Sequence, residues 1–343
     1  MAGPLAGQVA LVAGATRAAG RGIARELAAA GATVWCTGRS TRGAPATPGR
    51  PETIEETAEL IEAAGGRAVA IRVDHTIEAE VEALAARIRT DEGRLDVLVN
   101  DVWGGDALVD WGTPFWRQDM ADVRTLVERA VLSHWITARH MAPMMVEANR
   151  GLIVEVTDGE TPGYRGQILY DFVKASVNRL AYAMAWDLAR TGVTALAVSP
   201  GFLRSEAILD GFGVSEANWR EAVSKNEEFA YSETPHYLGR AIAALAADPN
   251  VGAKAGAAFF AADLADEYGF TDLDGARPHF THSVDARLRS EMAASEPLGP
   301  WARRHAAAAY MRAHLMPAEA ETARAYAARL GWTRLGAGLR PVG

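Results

Sequence analysis

Short apolar runs alternate with amphipathic stretches along most of the chain. Runs that are apolar on both faces are typical of strands buried on both sides of a parallel sheet. Seven runs are predicted as strands, at residues 9–13, 33–37, 68–73, 95–99, 152–156, 193–198 and 257–262. The pattern predicts an α/β fold, a doubly wound, Rossmann-like parallel sheet with helices on both faces. Such sheets bind ligands at the carboxyl ends of their strands.

The stretches between these runs carry apolar residues at helical spacing. The predicted helices are residues 20–30, a helix opened by Pro51, and residues 81–89, 117–148, 170–190 and 236–246. Pro51 suits the first turn of a helix, where its missing N–H costs no hydrogen bond. Pro143 is expected to break the long fourth helix, because proline removes a backbone donor.

The character of the chain changes after residue 275. Residues 276–343 are rich in Ala, Arg and Glu, with helical spacing over residues 301–313 and 318–330. We therefore predict two parts. A Rossmann-like domain spans residues 1–275, and a helical C-terminal extension over residues 276–343 packs on that domain or on a neighbouring subunit.

The composition indicates a globular protein and argues against several kinds of partner. The 343 residues are 49% hydrophobic with a net charge of −8, which disfavours nucleic acid. The N-terminus lacks a basic signal-peptide segment, and no apolar stretch reaches membrane-spanning length. The single cysteine, Cys36, permits no internal disulfide, so we expect a cytoplasmic protein. The isolated histidines at positions 75, 134, 140 and 236 lack ligand spacing, so we predict no metal site.

The first predicted strand runs directly into a glycine-rich turn. The residues that form this turn include Gly14, Thr16, Arg17, Ala18 and Gly20. Glycines let the backbone turn sharply and approach a pyrophosphate, and the following helix points free N–H groups at the phosphates. Because the turn lies between an opening strand and a helix, it predicts dinucleotide binding rather than a plain tight turn.

The end of the second predicted strand indicates which dinucleotide binds. An NAD site carries an acidic residue there, which holds the ribose 2′-hydroxyl, whereas this chain has no acid from Ala28 to Pro51. Arg39 lies where a guanidinium can bind a 2′-phosphate, and Arg17 can assist it. The alternative is that both are solvated loop arginines. The pattern favours NADP(H) as the cofactor.

Tyr170 and Lys174 lie four residues apart, so one helical face presents both side chains. A nearby ammonium stabilises a phenolate, and we expect it to lower the pKa of Tyr170 toward the range of a general acid/base. Such pairs are common by chance on helix surfaces. The position after the fifth strand of a dinucleotide-binding sheet favours a catalytic pair.

Over roughly residues 6–275 the chain resembles the short-chain dehydrogenase/reductase family. The motifs that match, in order, are Gly14-x-x-x-Ala18-x-Gly20, Asp74, Asn100, Tyr170 with Lys174, and Ser199-Pro200-Gly201. The resemblance implies that Tyr170 exchanges a proton with the substrate oxygen and that Lys174 binds the nicotinamide ribose. It also implies that Asp74 contacts adenine and that Phe202 and Leu203 hold the carboxamide.

The chain departs from the family pattern at four places. Ala18 replaces the middle glycine of the turn, and Asn100 is followed by an altered segment, Asp-Val-Trp-Gly-Gly. The catalytic Ser is absent, and either Thr157 or Asp158 takes its position, depending on the direction of counting. Thr157 can donate a hydrogen bond to a substrate oxygen, whereas an ionised Asp158 cannot. The helix Asn that relays protons has no counterpart, and Ala130 lies nearest its place.

Aromatic residues cluster where the family builds its substrate pocket. They follow the fourth and sixth predicted strands and are Trp103, Trp111, Trp116, Phe202, Phe212, Trp219, Phe229 and Tyr231. These rings either line a pocket for a flat, apolar substrate or pack the loops and a subunit interface. Residues 202–235 are expected to form a mobile lid.

These patterns predict an NADP(H)-dependent oxidoreductase that acts on a carbonyl or alcohol of a small-to-medium, apolar or aromatic substrate. Tyr170 is the expected general acid/base, and Thr157 is expected to hold the substrate oxygen. The altered Ser and the absent Asn leave two alternatives open. One is a lyase, isomerase or cyclase without net redox chemistry, and the other is a cofactor-sensing binding protein. The family resemblance implies a homodimer or homotetramer.

Overall fold

The computed structural model describes residues 3–159, 165–294, 298–303, 306 and 329. Within these residues one sheet has seven parallel strands in the order β3-β2-β1-β4-β5-β6-β7. The strands are β1 (Val9–Ala13), β2 (Thr33–Gly38), β3 (Arg67–Arg72), β4 (Val97–Asn100), β5 (Gly151–Val156), β6 (Val193–Ser199) and β7 (Ala258–Phe260). The strand order reverses between β1 and β4, which opens a crevice at their carboxyl ends. The predicted doubly wound sheet is confirmed.

Ten α-helices lie within the described residues. They are α1 (Ala18–Ala29), α2 (Ile54–Ala63), α3 (Glu78–Glu92), α4 (Met120–Val127), α5 (Ser133–Glu147), α6 (Ile168–Asp187), α7 (Glu206–Phe212), α8 (Pro235–Ala247), α9 (Ala261–Tyr268) and α10 (Phe280–Ala293). The strands have an apolar core on each face. In β1, Ala10 and Val12 pack with Leu27 of α1, whereas Leu11 packs on the other face with Leu84 of α3. Helices therefore cover both faces of the sheet.

Helices α1 and α8 approach each other closely because glycines lie at their contact. A Cβ atom on Gly239 would lie 2.6 Å from the carbonyl oxygen of Gly22, and one on Gly22 would lie 2.3 Å from that of Pro235. Both separations are shorter than a real side chain tolerates. This contact holds α1, and with it the glycine-rich turn at its start, against the rest of the domain.

Several predicted boundaries differ from those of the structure, including those of the second helix, the long fourth helix and the last strand. Helix α2 begins at Ile54 instead of Pro51, because the Thr53 hydroxyl accepts a hydrogen bond from the Glu56 N–H and forms the N-cap. The predicted helix over residues 117–148 is interrupted by a π-helical segment, Glu128–Leu132, and Pro143 lies inside α5. Strand β7 ends at Phe260, because α9 starts at the next residue.

The C-terminal extension is described only in part. Helix α10 lies within it, whereas most of the two helices predicted over residues 301–313 and 318–330 falls outside the described residues. The domain boundary at residue 275 stays a prediction. Among the described helices, none combines the length and the apolar character that crossing a membrane requires.

Candidate active site

A cleft of about 860 Å³ opens at the carboxyl ends of the strands, beside the crevice between β1 and β4. It brings together most of the residues that the sequence singles out. Those that line it are Gly14, Thr16, Arg17, Ala18, Arg39, Asp74, Thr157, Tyr170, Lys174, Pro200, Gly201, Phe202 and Leu203. Gly20 and Asn100 are not among the lining residues. The parallel sheet therefore gathers residues that are far apart in the sequence.

The glycine-rich turn has the tight backbone that its sequence predicts. Gly14 has a φ of 98°, and a Cβ atom there would lie 2.4 Å from the carbonyl oxygen of Asp101. Gly20 acts sterically, because its Cβ atom would lie 2.2 Å from the Gly14 oxygen. Ala18 has a φ of 47°, a left-handed conformation that costs an L-residue about 1–2 kcal/mol relative to glycine. The turn keeps its shape although its middle glycine is replaced.

An anionic group already lies on this turn. The backbone N–H of Ala18 donates a 2.9 Å hydrogen bond to Oε2 of Glu206, the first residue of α7. A carboxylate oxygen here stands in for a phosphate oxygen, since both are anionic acceptors suited to a helix N-terminus. The residues present therefore fit the diphosphate of a dinucleotide. No sequence pattern links Glu206 to Ala18.

Arginines line the part of the cleft next to β2. Nη1 of Arg39 lies 3.9 Å from Oδ2 of Asp74, and Arg17 and Arg129 also line this region. Burial lowers the pKa of the Arg39 guanidinium, Asp74 opposes that shift, and the charge of Arg129 adds to it. Among the described residues, only Arg39 of these three arginines has a carboxylate, that of Asp74, within ion-pair distance, so the group favours an anionic ligand. No sequence motif marks Arg129, which lies inside the π-helical segment.

Tyr170 is held at the start of α6. Its backbone N–H donates to Oε1 of Gln167, which caps the helix. Its phenol donates a 2.8 Å hydrogen bond to Oδ2 of Asp158. The rings of Trp103 and Trp111 pack on the phenol ring with centroids 5.6 and 5.2 Å away. The phenol is therefore fixed between a carboxylate and two indole rings.

The predicted acidification of Tyr170 is wrong. Burial raises the pKa of its phenol well above 10, and the charge and hydrogen bond of Asp158 add to that effect. A carboxylate acceptor stabilises the protonated phenol, and these effects outweigh the opposing charge of Arg165. Burial also lowers the pKa of Lys174, whose Nζ lies 4.4 Å from the centre of the Trp103 ring.

Thr157 lines the cleft, but its side chain is largely buried. Its hydroxyl donates a 2.9 Å hydrogen bond to the backbone carbonyl of Lys174, which links the end of β5 to α6. Of the two candidates for the family's Ser position, Asp158 is the one in contact with Tyr170.

A buried polar network lies behind the cleft. The side-chain amide of Asn100 donates to Oε1 of Glu155, and Nδ1 of His134 lies 2.6 Å from Oε2 of the same carboxylate. All three side chains are buried, so Asn100 and His134 are structural partners in this arrangement. The sequence carried one signal for it, because Glu155 is an acid inside the apolar run of β5.

Some aromatic residues of the predicted pocket line the cleft, and others pack the segment after β6. Trp103, Trp111 and Phe202 line the cleft. Trp219 and Phe229 are buried in a small apolar cluster of the segment after β6, so they pack the predicted lid. Trp116 is 70% exposed and does not line the cleft. Thr161 and Tyr164, the other hydroxyls near the Ser position, lie outside the described residues.

Asp101 connects the glycine-rich turn to the Tyr170 region. Burial raises the pKa of its carboxyl to about 7, against the opposing effects of Lys174, His134 and the Gly20 N–H. The unfolded carboxyl has an ordinary pKa of 3.8. The folded protein therefore holds this proton more tightly than the unfolded chain, and the free energy of unfolding falls as pH rises from about 4 to about 7.

We expect Asp101→Asn to remove this part of the pH dependence. Relative to the wild type, the variant should gain up to roughly 4 kcal/mol in unfolding free energy between pH 4 and pH 8, because one pKa unit corresponds to about 1.4 kcal/mol. Urea unfolding at several pH values measures the difference. Asp187→Asn, on the exposed face of α6, is the control. A pH-independent difference between Asp101→Asn and the wild type would contradict the buried titration.

The short chain dehydrogenase family profile matches residues 8–209. The "Dehydrogenase/reductase SDR family member 1" of Mus musculus is 34% identical over 280 residues, which cover 80% of this chain and 86% of that protein.

Two solved structures share the fold. A hydroxysteroid dehydrogenase from Escherichia coli has 25% identity and a TM-score of 0.60, covering 75% of this chain and 95% of that chain. A metagenomic short-chain oxidoreductase in complex with NADP has 25% identity and a TM-score of 0.55. The match covers 72% of this chain and 94% of that chain. The chain therefore belongs to the short-chain dehydrogenase/reductase family, whose members are oxidoreductases that bind a nicotinamide cofactor.

Proposed function

We propose that the protein is an NADP(H)-dependent reductase of carbonyl compounds, with Tyr170 as the proton donor. The observation that carries the proposal is the phenol of Tyr170, which lies in the same cleft as the glycine-rich turn and the arginines beside β2. A bound nicotinamide would supply the hydride or accept it in the reverse direction. The chain's own residues then bind, orient and move one proton.

The raised pKa of Tyr170 favours the reductive direction. Reduction requires a protonated phenol, and burial together with the contact to Asp158 raises the pKa of Tyr170 further above neutral pH. A carbonyl oxygen in the cleft would take the place of Asp158 as acceptor of the phenol hydrogen. We propose Asp158 and not Thr157 as the residue that orients the Tyr170 hydroxyl. Lys174 remains a catalytic candidate because it lines the same part of the cleft.

NADP(H) is the proposed cofactor. Its diphosphate would take the place of the Glu206 carboxylate on the Ala18 N–H, within the turn from Gly14 to Gly20. The 2′-phosphate would bind Arg39 with help from Arg17, and Asp74 would contact the adenine. Pro200, Gly201, Phe202 and Leu203 would hold the carboxamide side. The NADP complex of a similar short-chain oxidoreductase supports this choice.

The proposed substrate is a small-to-medium molecule with an apolar or aromatic body. Trp103 and Trp111 pack on Tyr170, and flat rings suit such a body. One of the similar solved structures is that of a hydroxysteroid dehydrogenase, and a hydroxysteroid is a molecule with such an apolar body.

We also propose that the protein is a homodimer or homotetramer. Leu132 and Trp135 are exposed at the start of α5, and Ile168 and Phe172 are exposed on α6. Large apolar side chains on neighbouring elements are typical of a subunit interface. The cytoplasmic location expected from Cys36 and the domain division at residue 275 stay predictions.

Replacement of Tyr170 by Phe tests the proposed function. We expect ketone reduction to fall by about 10²- to 10⁴-fold, the usual contribution of a general acid, while NADPH binding stays unchanged. Nicotinamide absorbance with a panel of aryl and alicyclic ketones measures turnover, and fluorescence titration measures binding. Tyr182→Phe, about three turns further along α6 and partly exposed, is the matched control.

Full turnover by Tyr170→Phe would rule out Tyr170 as the acid. If the wild type binds NADPH but oxidises it with none of the ketones, the redox proposal fails. In that case the phenol–carboxylate pair would favour proton transfer without net redox.

Replacement of Arg39 by Ala tests the cofactor choice. We expect the Kd of NADPH to rise about 10- to 100-fold and the Kd of NADH to stay nearly constant, because a hydrogen bond to a charged group contributes about 1.5–3 kcal/mol. Arg42→Ala, which removes an exposed arginine paired with Glu59, is the control. An equal loss for both cofactors would show that Arg39 does not contact a 2′-phosphate.

A further inference from the structure

Two histidines and a carboxylate converge beside the C-terminal extension. Asp263 lies in α9, His279 lies directly before α10, and His282 lies in the first turn of α10. One potential ligand atom from each side chain lies within 4.8 Å of the other two. In the sequence, the spacing His279-x-x-His282 is the one sign of this cluster, and Asp263 lies sixteen residues before it.

The two imidazole rings are arranged around a single oxygen. Nε2 of His279 lies 3.0 Å from Oδ1 of Asp263, and Nε2 of His282 lies 4.0 Å from the same oxygen. The rings are stacked with centroids 3.6 Å apart and planes 11° apart. Of the two rings, only that of His279 lies within hydrogen-bond distance of this oxygen. Nε2 of His282 lies beyond that distance.

A metal cation can bind all three side chains at once, whereas a proton can bridge only two of them. Zinc binds His nitrogen and carboxylate oxygen at about 2.0–2.2 Å, so ligand atoms around a tetrahedral ion lie roughly 3.3–3.5 Å apart. The observed separations of 3.0 and 4.0 Å lie on either side of that value. His282 is 68% exposed in its side chain, so it has room to make the small shift.

We propose that Asp263, His279 and His282 bind one divalent transition-metal ion of the zinc class. Two imidazoles and a carboxylate are ligands that Zn²⁺, Co²⁺ and Ni²⁺ accept, and a water would complete the coordination. The site is separate from the proposed catalytic chemistry and does not depend on the cofactor.

The ion would fix the start of α10 next to the cofactor side of the cleft. Phe280 lies between the two histidines in the sequence and lines the cleft. Its ring stacks on Phe202 with centroids 6.0 Å apart, and its Cβ would lie 2.8 Å from a Cβ atom on Gly201. A metal that holds α10 against α9 would therefore hold Phe280 against the segment after β6.

We expect a dissociation constant for Zn²⁺ in the micromolar range. Histidine ligands normally donate their second N–H to a partner that fixes the ring, and loss of that partner costs about 10- to 100-fold in affinity. Nδ1 of His279 is buried and makes no hydrogen bond to the described residues. The site therefore lacks one of the contacts that tighten zinc binding.

Titration of the EDTA-treated full-length protein with Co²⁺ and with Zn²⁺ tests the proposal. We expect one equivalent of Co²⁺ to give the visible absorption of a four-coordinate ion. Calorimetry should give one Zn²⁺ per chain, and Zn²⁺ should raise the Tm because it binds the folded state. His282→Gln and Asp263→Asn should each weaken binding at least tenfold. His140→Ala should leave it unchanged, since His140 is paired only with a carboxylate, Glu78.

His282→Gln replaces an exposed side chain, so loss of binding in a variant with an unchanged metal-free Tm would not come from misfolding. The proposal fails if the wild type gives neither the Co²⁺ spectrum nor Zn²⁺ heat. It also fails if His282→Gln and Asp263→Asn bind as tightly as the wild type, or if His140→Ala loses binding as they do. None of these readouts requires NADPH or turnover.

Discussion

The hydrogen bond from the Tyr170 phenol to the Asp158 carboxylate is the contact on which the proposed function depends. Asp158 lies just after β5 and Tyr170 in the first turn of α6, so the sheet and a capped helix end hold the two partners. The buried hydroxyl of Thr157 links the same strand and helix through the Lys174 carbonyl. Burial raises the pKa of the phenol well above its ordinary value, and this contact adds to the shift. A carbonyl substrate would therefore meet a proton donor instead of a phenolate base.

Two further acidic residues are buried near the carboxyl ends of β4 and β5. Asp101 follows β4, and Glu155 lies within β5 in contact with Asn100 and His134. Buried charges are costly unless they are paired or protonated. Glu155 is paired, and burial raises the pKa of Asp101 to about 7. The sheet thus carries buried acidic groups at the strand ends that also border the cleft, and each is either paired or favoured in its protonated form.

Much of the fold follows from the sequence, because strands buried on both faces must be apolar and glycines must occupy the tight turn. The residues that line the cleft were predictable for the same reason, since strand ends converge. The contacts inside the cleft were not. Counting residues cannot decide whether Thr157 or Asp158 faces Tyr170, and no spacing reveals Glu206 on the Ala18 N–H. The sequence does not indicate the π-helical segment either, because its residues have ordinary helical character.

NMR titration of protein labelled with ¹³Cζ-tyrosine tests the central claim most directly, with the Tyr170 signal assigned from Tyr170→Phe. The account predicts that the wild-type signal stays that of a neutral phenol through pH 10, and that Asp158→Asn lowers the pKa because it removes the charge that stabilises the protonated form. A Tyr170 signal that titrates below pH 10 in the wild type, or at the same pH in both proteins, would contradict the account.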